Sequence, residues 1–127
     1  MVRSDWDARQ ESMKKFDGKI DTIVLHDSGG GDSLEGRRIG DDFRTRQLGT
    51  VGLKCCSSTR ANMFLVGVTR QYAELKPKVH TVLGYHGSYH KETKELNRKK
   101  SPDYFLKMTN GKMSEEFVER FIRLENK

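Results

Sequence analysis

The chain reads as one small α/β domain, and three observations point to that class. Short β-branched runs alternate with segments of helical period, and glycine-rich or polar segments follow the strand ends. The 127 residues leave room for one core and no second module. In open α/β sheets ligands sit beyond the carboxyl ends of the strands, so the site is expected in those following segments.

Ser4-Asp5-Trp6-Asp7 has the Ser-x-x-Asp form of a capping box, and Trp6, Met13 and Phe16 recur near helical spacing. Residues 5 to 16 are therefore expected to form a helix that Asp17-Gly18 stops, within an N-terminal extension over 1–19. Thr22 to His26 is a β-branched run short enough for a buried strand, and it leads into Asp27-Ser28-Gly29-Gly30-Gly31. From Leu34 to about Leu48, Gly36, Ile39, Gly40 and Phe43 fall at i, i+3, i+4 and i+7, which predicts an amphipathic helix stopped by Gly49.

Thr50 to Leu53 is the next strand candidate. After Cys55-Cys56-Ser57-Ser58, a segment apolar on nearly all sides predicts a buried helix starting near Ser58. Thr69 to Ala73 and Val79 to Tyr85 read as two further strands split by Lys76-Pro77-Lys78, the second ending at His86-Gly87. Residues 91–100 are charged and weakly patterned, a surface arm. Ser101-Pro102 opens a short helix through Met108, and Ser114 caps a last one whose stripe is Phe117, Val118, Phe121 and Ile122.

Composition excludes several classes. No stretch approaches the roughly 20 apolar residues of a membrane helix, and the basic start is followed by Trp6, Asp7 and Arg9, not by an apolar signal core. Cys55 and Cys56 are adjacent, so they cannot make the long-loop staple of secreted mini-domains. The expectation is a cytoplasmic protein in a reducing compartment, or a processed periplasmic form. The formal charge of +6 is dispersed, with Arg98-Lys99-Lys100 the one run of three, and the aromatic residues form no stacking motif among the basic ones. That favours solubility over nucleic-acid binding. His80, His86 and His90 match no metal-ligand spacing, so neither metal nor cofactor is expected.

Three features could carry chemistry. The glycines after Ser28 let backbone amides approach an oxyanion or phosphate, although a plain turn would use them too. No Gly-Lys-Ser/Thr follows and the dinucleotide spacing fails, which lowers nucleotide binding. Ser58 sits where a strand and loop hand over to a buried helix; its plain alternative is an N-cap serine. His86 closes a β segment, where an imidazole could take a proton from a neighbouring hydroxyl or merely be satisfied at a strand end.

Taken in order, His26-Asp27-Ser28-Gly29-Gly30-Gly31, Cys56-Ser57-Ser58-Thr59-Arg60-Ala61-Asn62-Met63-Phe64-Leu65 and Gly84-Tyr85-His86-Gly87, 28 residues after Ser58, resemble the Clp protease proteolytic subunit (ClpP) and its crotonase-like superfamily. The likeness is closest to stand-alone ClpP-like proteins and spans about residues 20 to 124. It implies repeated β-β-α units in a single domain with C-terminal helices. It also implies a serine peptidase or other acyl hydrolase, in which Ser58 attacks, His86 is the base, and the amides of Gly31, Gly30 and Thr59 hold the oxyanion.

This sequence departs from the family pattern at three points. Gly29 stands where the family has proline, and Arg60 where a small residue is usual. The aligned triad acid falls near Phe121, leaving Asp103 as the nearest candidate. Two other readings therefore stay open: an inactive binding or adaptor protein on the same fold, and a crotonase-type acyl-CoA enzyme. The expected partners are a peptide or acyl substrate and, from the family's habit and the lean core, further copies of the chain, with any ATPase partner undetermined.

Overall fold

The computed structural model describes residues 5–16, 18–27, 29–54, 56–74, 76, 81–98 and 102–124. Along them run α1 (Asp5–Phe16), β1 (Thr22–His26), α2 (Ser33–Thr45), β2 (Gly49–Leu53), α3 (Thr59–Leu65), β3 (Arg70–Ala73), α4 (Asp103–Met108) and α5 (Glu115–Ile122). The strands form one parallel sheet in the order β1-β2-β3, registered Thr22 to Gly49 and Thr50 to Arg70. Parallel neighbours need a crossover, and α2 and α3 supply the two required here. All three strands thus end at one edge, and the chain leaving β1 and β2 there carries the glycine loop and Ser58.

The predicted helical stripe of α2 holds: Gly36, Ile39, Gly40 and Phe43 are its buried residues. Asp32 caps it, accepting from the amides of Leu34 and Glu35 at 2.9 and 2.8 Å. The helix stops earlier than expected, at Thr45. Gln47 turns the chain with φ 56°, and Gly49 is already in β2, donating to the Asp21 carbonyl at 2.8 Å. Glycine is needed at 49 because a Cβ there would overlap Thr69 Oγ1.

The predicted N-terminal helix is α1, docked on α2. The Trp6 amide donates to Glu35 Oε1 at 3.0 Å, the Arg38 guanidinium lies 4.5 Å from the Trp6 ring centroid, and Arg9 pairs with Asp42 while covering the Phe43 ring. Desolvation lowers the Arg9 pKa, and Asp42 opposes that shift. Ser4 and Asp17, the expected cap and stop, lie outside the described residues.

Two expectations need correction. A strand from Val79 to Tyr85 is not formed by its described part, 81–85. There Thr81 points its hydroxyl at the Gly52 and Ala73 carbonyls (3.3 and 3.1 Å), and only Gly84 makes a bridge, parallel to Ser57. Val79 and His80 lie outside the described residues. The C-terminal stripe was expected to be exposed and to favour assembly, yet Val118, Phe121 and Ile122 are 0%, 3% and 2% exposed within one chain. They join Phe43, Phe105 and Val66 in the core, and Phe117 alone of the four stays open to solvent.

Cys56 is buried, and its sulfur is in a disulfide; Cys55 lies outside the described residues. Among the described residues no helix is long and apolar enough to cross a membrane.

Candidate functional site

Ser58 occupies the N-cap position of α3, but with φ 53° and ψ −126° and with no hydrogen bond from its side chain to the helix. An ordinary capping serine is extended and accepts an amide with its Oγ. Ser58 does neither, and a non-glycine residue at positive φ is strained unless its surroundings over-determine it. That geometry lifts the side chain off a strand-to-helix turn, as a nucleophile elbow does.

The surroundings are specific. A Cβ on Gly30, whose φ is 102°, would lie 2.7 Å from Ser58 Cβ, 3.1 Å from the Ser57 carbonyl oxygen and 3.2 Å from the Thr59 nitrogen. Only glycine allows that approach. On either side the glycine loop is stitched to the start of α3, since Ser57 Oγ donates to the Gly29 carbonyl at 3.2 Å and Thr59 Oγ1 donates to the Gly31 carbonyl at 2.9 Å. Among the described residues no hydrogen bond draws on the N–H of Gly30, Gly31 or Thr59. Ser28 lies outside the described residues.

His86 reaches the same place from the segment that bridges to Ser57 through Gly84. The Ser58 amide donates to the Gly84 carbonyl and the Gly84 amide to the Cys56 carbonyl, both at 2.8 Å. Two residues further on, the half-buried imidazole puts Nδ1 2.6 Å from the Gly87 carbonyl oxygen. A carbonyl can only accept, so the ring proton belongs on Nδ1, and the neutral imidazole keeps its lone pair on Nε2. Gly87 is itself fixed: its amide donates to the Leu124 carbonyl at 2.9 Å, and a Cβ there would overlap the Ile122 carbonyl and the Leu96 side chain.

Ser58, Thr59, Gly31 and His86 line one open cavity of about 390 Å³. Gly30 stays behind Ser58, beside a recess of about 20 Å³. Arg60, the unexpected cation of the motif, lines that recess with Glu35 and Met63 and is not among the residues of the larger cavity. Asp103 is exposed on the first turn of α4 and is not a lining residue either. Asp32, the one lining carboxylate among the described residues, is engaged in capping α2.

The sequence reading missed the far wall. Residues 88–97, which overlap the surface arm expected over 91–100, fold back as a hairpin with a Tyr89–Leu96 bridge, and Ser88, Tyr89, His90, Lys91 and Lys94 face the cavity. The signal available was the alternation of Tyr89 and Leu96 around a polar turn, too short to read as strand pairing. The Tyr89 ring lies 5.7 Å from that of His86. Among the described residues no group of three or more His, Cys, Asp or Glu side chains is placed to hold a metal ion. No family model, curated protein or solved structure matches this chain.

Proposed function

We propose that the protein is a ClpP-like serine hydrolase that cleaves a peptide or related acyl bond with a Ser58–His86 pair. The observation that carries this reading is the strained, uncapped Ser58 sharing a cavity with an imidazole whose Nδ1 is tied to a backbone carbonyl. In this mechanism Ser58 Oγ bonds to the acyl carbon as its proton passes to His86 Nε2. The carbonyl π electrons move to oxygen, and the resulting oxyanion is held by the amides of Gly31 and Thr59, with Gly30 bracing the loop. Collapse expels the leaving amine or alkoxide, which takes the proton from His86. Water, deprotonated by the same imidazole, then frees the acyl group and restores the Ser58 hydroxyl.

The Gly87 carbonyl takes the orienting role that an aspartate has in a full triad. It fixes the tautomer but carries no charge to stabilise the imidazolium, so turnover is expected to be slow. Among the described residues no carboxylate hydrogen-bonds His86, which favours a second reading, a ClpP-fold binding protein that no longer turns over substrate.

Hydrolysis of para-nitrophenyl butyrate separates the two. The proposal expects a rate above buffer that falls by about two to four orders of magnitude in Ser58→Ala and His86→Ala. Equal rates for the wild type, both variants and buffer leave the binding reading.

A further inference from the structure

The hydrolase reading leaves the substrate open, and the far wall of the cavity narrows it. The hairpin that follows His86 is held by its own backbone: Asn97 donates to the Ser88 carbonyl at 2.7 Å, His90 to that of Glu95 at 2.9 Å and Lys94 to that of His90 at 3.0 Å. Leu96 packs against Gly87, the residue that orients His86. The ammonium-bearing residues Lys91 and Lys94 are therefore anchored to the same segment as the imidazole. Both line the cavity together with His90.

The opposing charge is small. Among the described residues Asp32 is the one carboxylate of the lining, and its Oδ1 accepts two amides of α2. Neither Glu92 nor Glu95 of the hairpin lines the cavity. In serine acyl transfer the leaving group departs beside the imidazole that protonates it, which is the side from which this hairpin continues.

We infer that the enzyme prefers substrates whose leaving group carries a negative charge, such as a peptide with an acidic residue just after the scissile bond. This rests on the hydrolase reading. Both lysines are exposed, so each contributes a modest, salt-screened attraction, and not a fixed ion pair.

The test uses two esters that differ only in leaving-group charge, para-carboxyphenyl acetate and para-carbamoylphenyl acetate, each kcat/KM divided by its spontaneous hydrolysis rate. The expected ratio favours the carboxylate by about five- to tenfold at low salt. It falls towards unity in a folded Lys91→Gln/Lys94→Gln double variant, and in the wild type at about 0.5 M NaCl. It inverts in Lys91→Glu/Lys94→Glu.

Hydrolysis of both esters by the wild type with no preference for the carboxylate overturns this inference and leaves the hydrolase reading standing. A preference that survives both double variants overturns it as well. Failure of both esters together with failure of fluorophosphonate labelling at Ser58 removes the hydrolase reading and the inference with it.

Discussion

Gly30 and Ser58 fix each other's backbones: both have positive φ, 102° and 53°, and a Cβ on the glycine would come within 2.7 Å of the serine Cβ. The strain sits on Ser58, the one hydroxyl to which chemistry is assigned, and glycine at position 30 leaves the room for it.

Gly30→Ala should therefore cost about 2–3 kcal/mol of stability and abolish the reactivity of Ser58. Gly31→Ala is the control. No atom lies within 4 Å of a Cβ at Gly31, and its backbone needs no positive φ. It should fold normally and keep its amide for the oxyanion. Thermal melts and ester hydrolysis of the two variants check the contrast; equal behaviour would disprove the mutual support.

Gly87 acts on His86 from behind. Gly87→Ala must push away the Ile122 carbonyl and Leu96, so a loss of about 2–4 kcal/mol is expected, with an altered His86 environment. The imidazole signals in a two-dimensional NMR spectrum should show the neutral form of the wild-type ring as the Nδ1–H tautomer. A wild-type Nε2–H tautomer would contradict the assigned base.

Asp103 was the nearest acid by sequence, yet it stands exposed on α4, away from the lining of the cavity. Asp103→Asn should change ester hydrolysis less than about twofold and stability by no more than about 0.5 kcal/mol. A fall in rate of two orders of magnitude or more would restore it as a triad member.

The fold should weaken in alkali. Burial raises the pKa of the Tyr85 and Tyr104 phenols well above the ordinary phenol value of about 10. The unfolded chain releases those protons near pH 10, while the folded chain retains them. Their contribution is thus fully present below about pH 10 and is lost as pH rises further. Tyrosinate absorbance should appear together with the loss of near-ultraviolet circular dichroism, and Tyr85→Phe should lessen the alkaline loss of stability. Ionisation of both phenols in a still-folded protein would contradict their burial.

Much of this was legible in the sequence because local rules and tertiary packing agreed there. The spacing of Gly36, Ile39, Gly40 and Phe43 gave α2 its buried stripe, and the β-branched run at Thr22 gave β1. The juxtaposition of the glycine loop, Ser58 and His86 was foreseen only through likeness to a family motif. Contacts such as Gly30 on Ser58 join positions 28 residues apart, beyond any periodic signal.

Three features escaped for physical reasons. Thr81 diverts its hydroxyl to strand carbonyls, and the described residues 81–85 form no strand beyond the single Gly84 bridge to Ser57. Phe121 and Ile122 look like an exposed helical stripe until α4 packs on them, the Phe105 and Phe121 rings lying 4.9 Å apart. The hairpin at 88–97 is held by backbone hydrogen bonds, and these leave no hydrophobic pattern to read.

The most direct test of the account is covalent labelling of the folded protein by a fluorophosphonate probe, read by intact mass and by mapping of the modified peptide. An activated serine reacts quickly and an ordinary surface serine does not. The account predicts a single adduct on Ser58, absent in Ser58→Ala and strongly slowed in His86→Ala. A folded wild type that takes no label, or one labelled equally in His86→Ala, would contradict it.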